Sequence, residues 1–404
     1  MSSTLLYRAF GFRQYQCLRT TTDNGILTLH LKQDPQHDRC SHCQSPDVIR
    51  HGAEERSIRT VPIGGKPVEL RLPVPRLGCP KCGCVRQAAI FFAKPFRRFT
   101  HAFERYALSL LSHMTIQAVA EHLRVGWDSI KALFKRHLQT RFAYPKLKKL
   151  KRLAIDEISI GHGHRYFTVV LDLATGAVVF VGQGKGADAL IPFWKRLKAA
   201  HAKIEAIATD MSPAYTTAVR ENLPKALHVF DHFHVVKLFN DRLSDFRREL
   251  HREAQGPLGK TVLKGTRWLI LKNPENLDET KGERARLEEA LRLNQPLATS
   301  YYMKEEFRLF WKQENLTQAT RFLDDWCRRA EASSVSVLKK MASTFQMHRT
   351  GLLNYHRCPI STGPLEGVNN KIKTLQRQAY GYRDQQFFKL RIYSIHLAKY
   401  ILLG

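Results

Sequence analysis

The sequence predicts an α/β core carrying a long helical insertion, preceded by a small metal-binding domain and a helical domain. Three observations carry this. Two Cys-x-x-Cys pairs lie within the first 95 residues. Two adjoining amphipathic segments fill 114–141. From 153 onward short apolar runs alternate with helical periodicity until about 234, where strand signals stop.

The chain has 404 residues, enough for two or three domains with cores of their own. Its charge is far from balanced: 65 Lys plus Arg against 36 Asp plus Glu, a net +29. Such an excess points to a polyanionic partner, because neutralising phosphates releases counterions. A membrane surface is the rival polyanion. No apolar run approaches the roughly 18 residues that span a bilayer, and no N-terminal signal pattern is present. The expectation is a soluble cytoplasmic protein bound to nucleic acid.

Residues 1–95 form the first domain, rich in Pro, Gly and short alternating segments such as that beginning at Val68. CSHC at 40–43 and CPKC at 79–82 are separated by 35 residues, a length that suits a few short strands. Four thiolates in two tight turns match tetrahedral zinc, so Cys40, Cys43, Cys79 and Cys82 are the expected ligands of one structural Zn²⁺. Cys84 is a spare thiol, and His42 and His51 are weaker candidates. With so little apolar core expected, ligation would supply the folding energy of this domain.

Residues 96–144 form the second domain. Ile116, Val119, Ala120 and Leu123 make one apolar face, Gly126 provides a turn, and Trp127, Ile130, Leu133 and Phe134 make the next face. This is a helix-turn-helix pattern whose second helix carries Lys131, Lys135 and Arg136, the expected DNA contacts. The same pattern also fits a helical hairpin that merely packs.

A basic linker, PKLKKLKR at 145–152, leads into the third domain, 145–404. Strands are expected at 153–156, 165–173, 177–182, 204–210 and 226–231, with helices at 187–200 and 213–222. Three antiparallel strands followed by parallel additions through crossover helices is the ribonuclease-H-like order. It sets the first and fourth strands side by side and brings Asp156 and Asp210 together at strand ends. A helical insertion is expected over about 235–350, and an amphipathic helix returns at STGPLEGVNNKIKTLQRQ, 361–378, with Glu366 at its head. GHGH at 161–164 reads as a hairpin turn rather than a metal pair. GQGKG at 182–186 lacks the spacing of a phosphate-binding loop and also reads as a turn.

Three carboxylates converging on a basic surface have a known use: they bind two divalent metal ions that activate an attacking oxygen and stabilise the leaving oxygen of a phosphodiester. Each acid also has a plain reading, as a turn former or as a helix-dipole partner. Glu157 rivals Asp156, and Asp231 rivals Asp210. Lys371, Lys373 and Arg377 follow Glu366 and would hold the DNA strand.

Over nearly its whole length the chain resembles the DDE transposases of bacterial insertion sequences, specifically the ISL3 group. The resemblance runs through the paired Cys-x-x-Cys, the helix-turn-helix, LAIDEIS at 153–159, ATDMSPAY at 208–215, FDHFHVVK at 230–237, KGTRWLILKNPENL at 264–277 and STGPLEGVNNKIKTLQRQAYGYRD at 361–384. It implies that Asp156, Asp210 and Glu366 are the catalytic triad, holding two Mg²⁺ or Mn²⁺, in a ribonuclease-H-like core interrupted before the Glu. It implies binding of the element's terminal inverted repeats, cleavage and strand transfer into target DNA, and a homodimer or larger assembly in a bacterial, nucleoid-associated setting. Asp231 and His234 resemble an auxiliary D-x-x-H element of several such enzymes. The alternative is a zinc and helix-turn-helix regulator without chemistry, which leaves the strand-end acids and Glu366 unexplained.

Overall fold

A computed structural model describes residues 10–12, 14–161, 163–254 and 263–396. His162 of the GHGH turn lies outside the described residues. The chain divides into two compact units, Met1–Thr140 and Arg141–Gly404.

The first unit opens with a sheet of β1 (Tyr15–Asp23), β2 (Ile26–Gln33), β3 (Ile49–Ile63), β4 (Lys66–Gly78) and β5 (Val85–Gln87). The strands run in the order β1-β2-β4-β3, with β5 on β4. Asn24-Gly25 and Gly64-Gly65 turn the two hairpins with positive φ at both positions, the backbone twist that matches flanking strands. Strands β3 and β4 are 15 and 13 residues long, not the short strands expected. Val68, Leu70, Leu72 and Val74 alternate inward on β4 and join Leu29, Leu31 and Ile58 in a buried cluster. The expectation of little apolar core is therefore corrected: one face of this sheet carries a core of its own.

Three helices follow: α1 (His101–Leu110), α2 (Ile116–Leu123) and α3 (Trp127–Phe142). Thr100 and Thr115 cap the first two through side-chain oxygens that accept from the amides of Phe103 and Ala118, each at 3.1 Å. Val119, Ala120, Leu123, Ile130, Leu133 and Phe134 are buried as the pattern requires. Two details differ. Arg124, not Gly126, takes the left-handed conformation that ends α2, at φ 51°. Trp127 is off the apolar face: it is 41% exposed, with Lys131 Nζ 5.0 Å from its ring centroid.

The second unit is built on β6 (Arg152–Gly161), β7 (Arg165–Asp172), β8 (Val178–Gln183), β9 (Ala206–Thr209) and β10 (Leu227–Phe230), in the order β10-β9-β6-β7-β8. Strands β6, β7 and β8 are antiparallel, and β9 and β10 are added in parallel. The crossovers are α4 (Ile191–Ala199) and α5 (Pro213–Asn222). This is the ribonuclease-H-like order, with first and fourth strands adjacent. Strand β6 runs past its expected end at Asp156 to Gly161, because β7 continues to pair with it.

After β10, α6 (His232–Glu253) leads into a helical segment of α7 (Glu283–Leu293), α8 (Gln295–Phe307), α9 (Leu316–Ala332), α10 (Ser336–Met347) and α11 (Arg349–Leu353). It has a cluster of its own, centred on Phe239, Phe307, Trp326 and Phe345. Gly351 lets α11 pass against β10, since a Cβ there would lie 2.3 Å from the Phe230 ring. The chain then returns to the sheet as α12 (Gly363–Gln378) and α13 (Gln385–Tyr393). The Tyr393 hydroxyl accepts from the Val181 amide of β8 at 3.0 Å. Among the described residues, no helix is long and apolar enough to cross a membrane.

Candidate active site

Two groups of side chains have the composition of metal centres, one in each unit. In the first, the β3–β4 hairpin brings the cysteine pairs together at its base, where Ile49 pairs with Gly78. Both pairs fold into the same turn. The carbonyls of Cys40 and Cys79 accept from the amides of Gln44 and Gly83, and their own amides donate to the carbonyls of Ser45 and Cys84. Gln44 and Gly83 take positive φ, at 59° and 68°. The four sulfurs of Cys40, Cys43, Cys79 and Cys82 lie within 4.8 Å of one another. Cys40 is 3.6 Å from Cys82, and Cys43 is 3.5 Å from Cys79. Zn–S bonds of about 2.3 Å in a tetrahedron require edges of about 3.8 Å, so the donor set fits zinc. The backbone amides of Cys43 and His42 pull the Cys40 thiol down to about 6, toward the thiolate that a metal takes. Cys84 stands where Ser45 stands in the first turn, and its sulfur groups with His42 and Cys82. His51 packs on Gly78 instead, its Nε2 2.5 Å from where a Cβ would sit.

In the second unit the parallel register pairs Leu153 with Ile207 and Ala154 with Ala208. Two residues further along, Asp156 in mid-β6 comes level with Asp210, just past the end of β9. Asp156 Oδ1 accepts from the Glu157 amide at 2.8 Å, and Oδ2 accepts from Asn369 Nδ2 at 2.9 Å. Asp210 Oδ1 accepts from the Ser212 amide at 3.0 Å. Burial raises both carboxyl groups above the usual range. For Asp156 the nearby Asp210 charge adds to it, and for Asp210 that of Glu157 does. Two desolvated acids side by side, each keeping oxygens for another partner, make a donor set suited to a hard divalent cation.

The rivals have other duties. Glu157 Oε1 accepts from the Tyr215 hydroxyl at 2.6 Å and from the Gly186 amide at 2.9 Å. It clamps β6 to α5 and to the GQGKG turn. Asp231 is 1% exposed and caps α6. Its Oδ1 accepts from the Thr362 amide at 3.0 Å, and its Oδ2 lies 3.0 Å from His234 Nδ1. Burial opposes its ionisation, but the bonds from His234 and Thr362 outweigh it and hold the carboxyl below the usual range. His234 is raised, first by its bond to Asp231 and then, against burial, by the charges of Asp156, Asp231 and Asp210. Its ring faces the aspartates, whose charges favour its protonated form.

Glu366 is in the first turn of α12 and is exposed. Among the described residues, no trio of carboxylates has its oxygens within 4.8 Å of one another. Leu365, Val368 and Ile372 bury the inner face of α12, and Asn369, one turn beyond Glu366, bonds Asp156. The helix is held at its head by Thr362 on Asp231 and near its end by Gln376 Nε2 on the Ile160 carbonyl at 2.5 Å. Lys371, Lys373 and Arg377 are exposed along it, with Lys371 Nζ 3.5 Å from His396 Nε2. On α3, Lys131 and Lys135 are half-buried, while Arg136 pairs with Glu104 of α1 at 2.9 Å. Sequence reading missed Asn369, Thr362 and the Glu157–Tyr215 clamp. The one available signal was the Asn pair one turn after Glu366.

A sheet of this order, with paired acids where its first and fourth strands meet and a helix returning to them after a long helical segment, defines a DDE-type enzyme of DNA strand cleavage and transfer. Family models match the chain in three consecutive stretches. They are the zinc-finger of transposase IS204/IS1001/IS1096/IS1165 over 36–82, the helix-turn-helix domain of transposase family ISL3 over 91–138, and the transposase domain of that family over 153–392. The chain is 33% identical over 369 residues to the transposase for insertion sequence element IS1001 of Bordetella parapertussis, which covers 91% of this chain and 90% of that one. It is 28% identical over 373 residues to the transposase for insertion sequence element IS1557 of Mycobacterium tuberculosis, covering 86% and 83%. Among solved structures it is similar to the Drosophila P element transposase strand transfer complex, with TM-score 0.38 and 10% identity over 76% of this chain and 94% of that one, a likeness too weak to argue from. The chain belongs to the ISL3 family of transposases. Its class works with a divalent metal and binds DNA through the helix-turn-helix.

Proposed function

We propose that Asp156, Asp210 and Glu366 are the catalytic triad of this transposase and hold Mg²⁺ or Mn²⁺, two ions per site. The observation that carries the reading is the β6–β9 register, which sets Asp156 level with Asp210, together with the bond from α12 to Asp156. The ions supply activation of the attacking oxygen and stabilisation of the leaving one. The protein's own residues do the rest. The strands fix the two aspartates, Asp231 anchors the head of α12, and His234, bonded to Asp231, stands beside the carboxylates. Glu366 is exposed one turn before Asn369 on the same helix, and the reading requires its carboxylate to join the aspartates when metal is bound. Lys371, Lys373 and Arg377 contact the backbone of the cleaved strand. Lys131 and Lys135 face the terminal inverted repeats from the second helix of the helix-turn-helix, and Arg136 orients that helix through Glu104. Zinc on Cys40, Cys43, Cys79 and Cys82 fastens the hairpin base of the N-terminal domain, 1–95. The protein works on transposon ends and target DNA as a homodimer or larger assembly in the cytoplasm, at the nucleoid.

The test is strand cleavage and joining of a labelled element end with Mg²⁺ or Mn²⁺, beside a gel shift with the same protein. Glu366→Gln should bind ends as wild type does and lose roughly a thousandfold or more in cleavage rate. Full cleavage by that variant would leave Glu366 as only a dipole-matching acid at a helix start.

A further inference from the structure

Asn369 is partly buried within α12, one turn after Glu366 and followed by a second Asn. Asn is a poor helix former, because its amide competes for nearby backbone groups. Two in succession in a helix interior therefore need a positional reason. The first has one: its Nδ2 donates to Asp156 Oδ2 at 2.9 Å. Its Oδ1 is also buried, and it has no hydrogen-bond partner. A buried polar atom without a partner is costly, so a native protein that keeps one generally has a use for it. The amide cannot be reversed to relieve this, since Oδ1 would then face the Asp156 carboxylate.

We propose that Asn369 is a positioning residue of the strand-cleavage site, holding Asp156 in its metal-binding orientation through Nδ2 and offering its amide oxygen as a further neutral donor beside it. This rests on the reading of Asp156 and Asp210 as metal ligands. Hard divalent cations accept neutral amide oxygens alongside carboxylates. Partners that orient a ligand from behind commonly change metal affinity 10- to 100-fold when removed. Residues 366 and 369 share a helix face, being three positions apart. Docking α12 on β6 through Asn369 thus presents Glu366 on the side from which Asp156 is approached, coupling assembly of the site to seating of the helix.

The experiment is Mn²⁺ binding to the full-length, zinc-loaded chain without DNA, followed by electron paramagnetic resonance, for wild type, Asn369→Leu, Asn369→Ala and Asp156→Asn. Leu keeps the branched outline of Asn but is bulkier, Ala is smaller, and both lack the polar atoms, so a change shared by Leu and Ala is not the effect of added or lost volume. Melting temperatures of all four report folding. The expected result is a dissociation constant for Mn²⁺ roughly 10- to 100-fold weaker in both Asn369 variants. Cleavage by them should recover as Mn²⁺ is raised, whereas cleavage by Asp156→Asn should not. Wild-type Mn²⁺ affinity in Asn369→Leu, with affinity lost in Asp156→Asn, would overturn the role of Asn369 and leave the triad standing. Unchanged affinity in Asp156→Asn would overturn the metal-site reading on which the inference depends.

Discussion

Asp210→Asn should make the protein more stable while abolishing its chemistry. The Asp210 carboxyl is raised, first by burial and then by the charge of Glu157, against the bond from Ser212 and the charge of His234. A group whose folded pKa lies above its unfolded value contributes stability at low pH. That contribution is lost as pH rises through the folded value. At neutral pH the ionised carboxylate is therefore a cost to the fold. The amide keeps an oxygen for the Ser212 amide, which Oδ1 now accepts at 3.0 Å, and removes the charge. Without added Mg²⁺ or Mn²⁺, the gain should be on the order of 1 kcal/mol, as for other relieved functional sites. In a unit of this size that is about 2–4 °C in Tm. The difference should vanish below about pH 3.9, where the unfolded carboxyl is itself protonated. Adding Mn²⁺ at ten times its wild-type dissociation constant should raise wild type by about 1.4 kcal/mol and the variant by much less, since it has lost a charged ligand, reversing the order. The assay is calorimetry across pH with and without Mn²⁺, beside strand cleavage. A variant that melts below wild type at pH 7 without divalent metal would refute the reasoning.

Four further outcomes are expected. Metal analysis should find one zinc per chain, and chelation should loosen the N-terminal sheet without unfolding it, because its core survives; retained Tm with no zinc in Cys43→Ser would show that ligation contributes nothing. Asp231→Ala should cost roughly 3 kcal/mol, about 1 from the lost cap and about 2 from the stranded Thr362 amide, and should cut cleavage more than end binding. The pair it breaks has a pH window: Asp231, lowered, stabilises above about pH 3.9 and loses that as pH falls through its folded value, and His234, raised, stabilises below about pH 6.5 and loses that as pH climbs through its folded value, so the gap in urea midpoint between wild type and variant should be widest inside that span and should narrow on either side of it. Arg136→Ala and Glu104→Ala should each cost on the order of 1 kcal/mol and the double variant little more, while Lys135→Ala should lower the salt slope of end binding by about 0.9.

The sequence by itself determined what depends on residue type and spacing. Two Cys-x-x-Cys turns can present thiolates wherever they sit, because each turn is local. Thr100 and Thr115 start their helices through bonds three residues ahead. The strand-helix alternation from 153 allowed few topologies, so the neighbouring of β6 and β9 was legible from order alone. What only the tertiary structure decided was which of two adjacent acids faces which way. Asp156 and Glu157 point to opposite faces of one strand, and the sequence does not say which face α5 covers. The Tyr215 hydroxyl claims Glu157, and Asp231 is claimed by its helix and by Thr362, 131 residues away. The turn at Arg124, the exposed Trp127 and the Arg136–Glu104 pair were hidden for the same reason. Local pattern gives each residue's preference, but long-range packing decides which side of an element is covered, and so which polar groups remain for chemistry.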